Sequence, residues 1–274
     1  MAKRHWQDLC GHAFQQQKFL CVGLDPDHGK IPAKYQDDQG EDVLPEVKEF
    51  CTDVIDAVGG VAGFLKPNWA FFFKYGLKGL ILLQELVKYS QEKYPQLAVI
   101  LDCKVGDIGD TNRAYAYGFF HHMRADAITI HGYLGQAANQ PFLDYKDKGF
   151  FVLCHTSNPG AEEFQHLNIG ERDPLYLRVA ENVSRTWNTS GNCGLVVGAT
   201  FPEAVSQARA VAPTLPFLVP GIGKQGGDLE KAVKGAMRSD GAGFIINSSS
   251  GIIFAPDPQH AAQELHTAIL AARH

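Results

Sequence analysis

The 274-residue chain has no Cys-x-x-Cys pair; its six cysteines stand apart at 10, 21, 51, 103, 154 and 193, several of them inside apolar runs. A free cysteine in such a run behaves as a small hydrophobe. Neither a disulfide framework nor a structural zinc site is expected, and a reducing cytoplasm is the natural compartment. Basic excess is also missing. With 25 Lys and Arg against 30 Asp and Glu the net charge is −5, so there is no electrostatic footprint for nucleic acid. Apolar runs such as Gly79-Leu80-Ile81-Leu82-Leu83 stop well short of a membrane span. Lys3-Arg4 is followed by no apolar core, so a signal peptide is not expected, and the sequon Asn182-Val183-Ser184 then carries no weight. No His/Glu/Asp cluster has clear metal-ligand spacing. What is present is ordinary for a packed soluble chain: 45% hydrophobic and 20% charged residues, which excludes disorder.

Two hydrophobic periods alternate along the chain. Short runs rich in Val, Ile, Leu and Phe cover 19–25, 61–68, 97–105, 127–132, 150–157, 194–199, 217–223 and 243–249. Between and after them come helical spacings, for example over 77–94, 110–123, 174–187, 202–211 and 258–273. Apolar strands alternating with helices imply parallel pairing with both sheet faces covered, and eight such units make a closed (β/α)8 TIM barrel of the α/β class. An open doubly wound sheet would normally carry a Gly-rich turn after its first strand; Leu24-Asp25-Pro26-Asp27 is nothing like one. No composition break divides the chain, so 1–274 reads as a single domain. The polar stretch 26–42 reads as an insertion over one barrel end.

Polar residues interrupt the strands at their C-terminal ends, the face on which barrel active sites lie. Asp25 ends the first, Lys66 the second, Asp102 and Lys104 the third, and Ser157 the fifth. A single such Lys or Asp could be a structural ion pair; four charged groups at matching positions point to one site. Strand alternation puts Asp102 and Lys104 on one face and Cys103 on the other, giving the order Lys66–Asp102–Lys104. A lysine beside carboxylates stays protonated, which suits Lys104 to acid or electrostatic work rather than Schiff-base chemistry. Asp107, in the following turn, is either a solvated turn aspartate or a cap, with Asp110 the better cap candidate. His131 and His155 end the fourth and fifth strands. His155 shares parity with Ser157, although a packing role serves for both histidines. His121 and His122 read as helix surface, and Trp69, Phe71, Phe72 and Phe73 as core.

After the seventh strand comes Pro220-Gly221-Ile222-Gly223-Lys224-Gln225-Gly226-Gly227-Asp228, where barrels often bind phosphate through backbone N–H groups. The eighth ends in Asn247-Ser248-Ser249-Ser250-Gly251, rich in hydroxyl and amide donors.

Asp102-x-Lys104-x-x-Asp107-Ile108-x-x-Thr111 resembles the signature of the orotidine 5′-monophosphate decarboxylases. The likeness extends through Val22-Gly23-Leu24-Asp25, Phe64-Leu65-Lys66-Pro67-Asn68, Thr156-Ser157-Asn158-Pro159-Gly160 and Pro220-Gly221-Ile222-Gly223-x-Gln225-Gly226-Gly227. The Lys-Pro-Asn and Thr-Ser-Asn-Pro forms are similar to those of the longer bacterial (type 2) branch. The resemblance implies a carboxy-lyase of pyrimidine (UMP) biosynthesis that converts orotidine 5′-monophosphate (OMP) to UMP and CO2 without metal or organic cofactor. It implies that Lys104 opposes the charge developing on C6 and delivers the proton, and that Asp102 holds the lysines beside the substrate carboxylate. Lys66 and Asp25 would serve the ribose, Ser157 the pyrimidine, and Gln225, Gly223 and Ser249 with nearby amides the phosphate. Asp107, Ile108 and Thr111 would enter the neighbouring subunit's site, making the active protein a homodimer with shared sites.

One departure stands out: Ser249-Ser250-Gly251 occupies the place of the family's Ser-Arg-Gly. Serine cannot replace the bidentate charge of arginine, and Lys224 beside Gln225 is the residue expected to supply part of it. Two other readings stay open on sequence alone, a nucleotide-phosphate binder that has lost activity and a metal-dependent sugar-phosphate enzyme of the same superfamily.

Overall fold

Each of the eight apolar runs contributes a parallel strand to the computed structural model of the protein, which describes residues 3–36, 42–170, 173–222 and 227–274. The strands are β1 (Leu20–Leu24), β2 (Phe64–Pro67), β3 (Ala98–Val105) and β4 (Ala127–His131). They continue as β5 (Gly149–His155), β6 (Cys193–Val197), β7 (Phe217–Val219) and β8 (Phe244–Ser248). They close in chain order, with β8 meeting β1 through Leu20↔Ile246, so the architecture is a (β/α)8 barrel.

The runs are continuously apolar because both strand faces are buried. Inward residues Cys21, Phe64, Ala98, Ile100, Ala127, Phe151, Val196, Leu218 and Ile245 form one cluster. Helix α1 (Trp6–Gln15) closes its lower end, with Trp6 meeting Phe151 edge-on at 5.5 Å. Arg4 fixes the start of that plug by a two-pronged bond to the fully buried Asp126 at 2.9 and 2.8 Å, and Asp126 also accepts from the Val99 amide.

Outward strand residues pack against α2 (Leu44–Val58), α3 (Trp69–Phe73), α4 (Gly76–Lys93), α5 (Gly109–Tyr117) and α6 (Gly135–Leu143). The ring continues through α7 (Glu162–Gln165), α8 (Leu175–Asn182), α9 (Pro202–Val211), α10 (Leu229–Ala236), α11 (Ser250–Ile253) and α12 (Pro258–Ala271). The two long spacings expected at 110–123 and 174–187 are each an α-helix that widens into a π-helical turn, Gly118–His122 and Val183–Trp187. Asp110 does not cap α5. The chain turns at Gly109, whose φ of +50° suits glycine, and Ile108 takes the N-cap place. Asp110 lies in the first turn, solvent-exposed and paired with Arg113. Of the four aromatics read as core, only Phe72 is fully buried, while Phe73 is 57% exposed. After β1 the chain makes two short 3-10 turns, His28–Lys30 and Ala33–Tyr35, anchored by buried Ile31 and by the Tyr35 hydroxyl donating to Asp53. Among the described residues no helix is long and apolar enough to cross a membrane.

Candidate active site

Because every strand runs the same way, the polar residues that end them meet at one mouth. A cavity of about 640 Å³ opens there, floored by Leu153, Val196 and Leu218. A slightly larger surface groove, about 710 Å³, lies between α9 and α10, but its two lysines, Lys231 and Lys234, are spent on solvated pairs with Asp228 and Glu230.

The charge array is assembled as its order along the strands implies. Lys66 Nζ donates to Asp102 Oδ2 at 2.6 Å, and Lys104 Nζ to Asp102 Oδ1 at 2.5 Å. Lys66 and Asp102 are buried, whereas the Lys104 side chain is 48% exposed and reaches the open side of the cavity. Burial alone would raise the Asp102 carboxyl. The charges of Lys66 and Lys104, with their hydrogen bonds, overcome it and hold that carboxyl well below the usual carboxylate range. Burial would likewise pull Lys66 down, but Asp102 and then Asp25 outweigh it and raise it above the ordinary lysine value. Lys66 and Asp102 are therefore both ionised near neutrality.

Lys104 sits on strained backbone. Its φ is +45°, a left-handed conformation costing a non-glycine residue about 1–3 kcal/mol. The strain falls where β3 loses register with β4, between Leu101 and Val105. Cys103 still faces the outer packing layer, as alternation requires.

Asp25, Ser157, Ser249 and Ser250 line the same cavity. Glycine at 23 lets Ser249 in, since a Cβ there would lie 2.7 Å from the serine's own. Asp25 Oδ1, Asn247 Oδ1 and Ser249 Oγ are buried without a hydrogen-bond partner among the described residues, an acceptor set suited to a hydroxyl-bearing ligand. Gly223, Lys224 and Gln225 lie outside the described residues. Asp107, Ile108 and Thr111 do not line the cavity of their own chain, and Ile108 is 62% exposed. Buried Asn112 braces their turn, its amide donating to Asp107 O at 2.6 Å while its Oδ1 accepts from Asp107 N.

His155 fails its parity. β5 shifts register against β6 between Leu153 and His155, and the extra residue turns the imidazole outward. It packs on Tyr176 and Phe201 and shares a 2.8 Å Nε2···Nε2 contact with His166. Burial, then His166, pushes its pKa down to about 4, so the ring is neutral at physiological pH. His131 is tied to Gly106 O at 3.1 Å, the structural role.

Sequence reasoning gave no individual role to Asn68, Thr129, Thr156, Asn158 or Gln165 and took Asn247 and Ser248 only as part of a donor-rich strand end; all seven line the cavity. Parity held the signal for two of them. Ala127 and Ile245 face inward, so Thr129 and Asn247, two residues on, do as well. Asn68 hides behind its second role as N-cap of α3, where it accepts from the Ala70 amide.

Residues 18–265 match the family described as orotidine 5′-phosphate decarboxylase / HUMPS. The chain is 42% identical over 271 residues to an orotidine 5′-phosphate decarboxylase of Azoarcus sp. (strain BH72), covering 98% of this chain and 97% of that one. It is similar to the solved structure of Leishmania donovani OMP decarboxylase, at 41% identity and TM-score 0.86 over 98% of both chains. Leishmania donovani UMP synthase matches with 42% identity and TM-score 0.90, over 99% of this chain and 57% of that longer one. With the matched residues spanning the barrel and the Lys–Asp–Lys array inside it, the chain belongs to the orotidine 5′-phosphate decarboxylase / HUMPS family.

Proposed function

We propose that the protein is an orotidine 5′-phosphate decarboxylase, acting in the cytoplasm as a homodimer. The observation that carries the reading is the Lys66–Asp102–Lys104 array, ion-paired and partly buried at one wall of a cavity whose other walls offer hydroxyls and amides. Breaking the C6–carboxylate bond leaves the electron pair on C6, where no neighbouring π system takes it up. Stabilisation must come from charge already in place, and Lys104 Nζ supplies it and then donates a proton to C6. Asp102 holds both ammonium groups where the carboxylate leaves, and Asp25 with Lys66 serves the ribose hydroxyls. Ser157 serves the base, and Ser249, Ser250 and the amides near Gly221 serve the phosphate, a role the sequence alone assigns also to Gly223, Lys224 and Gln225. Phosphate lies far from C6, so its binding energy can assemble the site without touching the chemistry.

Ultraviolet absorbance of the purified protein with OMP, with and without EDTA, tests this. Loss of substrate absorbance unaffected by EDTA is expected. EDTA-sensitive turnover, or none by folded protein at saturating OMP, would sink the reading. Ser250→Arg then separates the causes, since turnover restored by that change traces the failure to the phosphate grip.

The homodimer reading rests on Asp107, Ile108 and Thr111 not lining their own cavity, and on Phe73, Leu77, Ile81 and Tyr117 standing exposed on α3, α4 and α5. Six free cysteines, five of them buried, suit a reducing compartment. Co-expressing Lys104→Ala and Asp107→Ala chains, each inactive alone, should restore about a quarter of parental activity, because one site per mixed dimer is intact. No recovery from a verified mixed dimer would show that each chain completes its own site.

A further inference from the structure

The hydroxyl of Thr129 has every hydrogen-bonding direction committed to three consecutive residues of β3, Asp102, Cys103 and Lys104, two of which belong to the charge array. Its oxygen accepts from the amides of Cys103 at 3.1 Å and Lys104 at 3.0 Å, and its proton goes to Asp102 Oδ1 at 2.9 Å. A threonine hydroxyl has one proton and two lone pairs, so it is saturated. The residue is 1% exposed, which leaves its oxygen no recourse to solvent.

Two consecutive amides meeting one acceptor on the neighbouring strand is not a regular β arrangement. In a regular ladder successive N–H groups point to opposite sides, and only one of the pair could face β4. Here both do, at the point where four steps along β3, Leu101 to Val105, pass two along β4, Ile128 to Ile130. Lys104 takes its left-handed φ of +45° in this bulge, and its ammonium returns to within 2.5 Å of Asp102. Convergent successive amides around a residue of left-handed φ form a concave nest that needs an electronegative atom at its centre. Thr129 Oγ1 is that atom.

We propose that Thr129 is a positioning residue for the decarboxylation, its hydroxyl holding the bulge that aims Lys104 and orienting the Asp102 carboxylate by the same group. The inference rests on the decarboxylase reading given above. Thr129 acts through Lys104 and Asp102 and supplies no proton to the substrate. Removing the hydroxyl leaves two amides without their acceptor and Asp102 with one donor fewer, so the bulge loses its reason to form and the ammonium moves off its line.

The test compares Thr129→Val, close in shape but without the hydroxyl, with Thr129→Ser, which keeps it. In the OMP assay Thr129→Val is expected to lower kcat roughly a hundredfold with KM changed less than about threefold, as for a misplaced rather than missing group. Thr129→Ser should stay within about threefold of the parent in both. Parental kcat in Thr129→Val overturns the proposal. So does an equal loss in Thr129→Ser, which would assign the effect to the methyl group's packing. If Thr129→Val does not fold, Thr129→Ala carries the same two outcomes. Parental turnover in the same assay judges the decarboxylase reading separately. Were the parent inert on OMP, crystal structures would still decide: Lys104 relaxing to an extended φ in Thr129→Val supports the role, and an unchanged left-handed φ overturns it.

Discussion

Lys104→Ala is expected to abolish decarboxylation while leaving the product site able to bind. Two effects vanish with the ammonium group. Fixed positive charge opposite the developing carbanion is worth roughly 10²–10³ in rate, the range seen when one preorganised donor is removed. Proton delivery is worth roughly 10²–10⁴. Together they set a loss of roughly 10⁴-fold or more in kcat. The fold should tolerate the change, because the side chain is 48% exposed and alanine inherits the same backbone strain rather than adding to it. UMP affinity, measured by calorimetry, should stay within about tenfold of the parent, since ribose and phosphate contacts lie elsewhere in the cavity. A variant that keeps kcat within tenfold of the parent would remove Lys104 from the chemistry.

Asp102→Asn should carry the largest stability cost together with a large loss of rate. Asp102 is the shared anion of the array, and without it the buried ammonium of Lys66 loses its 2.6 Å partner. Breaking one side of a buried pair costs about 3–5 kcal/mol, because the remaining charge is left uncompensated. Urea unfolding at pH 7 should show a loss in that range, and kcat should fall by roughly 10²–10³ as both lysines lose their anchor. A loss under about 1 kcal/mol would mean that the pair's attraction barely exceeds the cost of its own desolvation.

The pH dependence of that difference has a definite sign. The folded Asp102 carboxyl lies below its unfolded value, so its contribution is complete above the unfolded carboxyl pKa and is lost as pH falls through the folded one. The folded Lys66 lies above its unfolded value, so its contribution is complete below the unfolded lysine pKa and is lost as pH rises through the folded one. Between about pH 4 and pH 10 the gap between parent and variant should be flat, narrowing only outside that window.

The site was legible in the sequence to the depth that strand parity allows. Lys66, Asp102 and Lys104 were found because charged residues interrupt apolar strands at matching ends, and the structure brings all three together. Ser157 followed from the same logic, and Ser249 and Ser250 from their place in the loop after the eighth strand; all three share the cavity. Parity misled at His155, where one register shift in β5 reverses the face of the imidazole. Thr129 was missed for a different reason. A lone threonine in an apolar strand reads as a β-branched packing residue, and nothing local reveals that two amides from the next strand converge on it.

What the sequence by itself determined is the barrel, its strand order and the wall of charge, because these follow from hydrophobic period and from chain direction, which are properties of neighbours along the chain. Where helices widen into π-helical turns, where β3 and β5 slip against their partners, and which buried oxygens keep no partner were decided only by tertiary structure. Each of these depends on a contact between strands or layers far apart in sequence, and a bulge stabilised by a neighbouring strand's hydroxyl leaves no periodic trace in the strand that carries it.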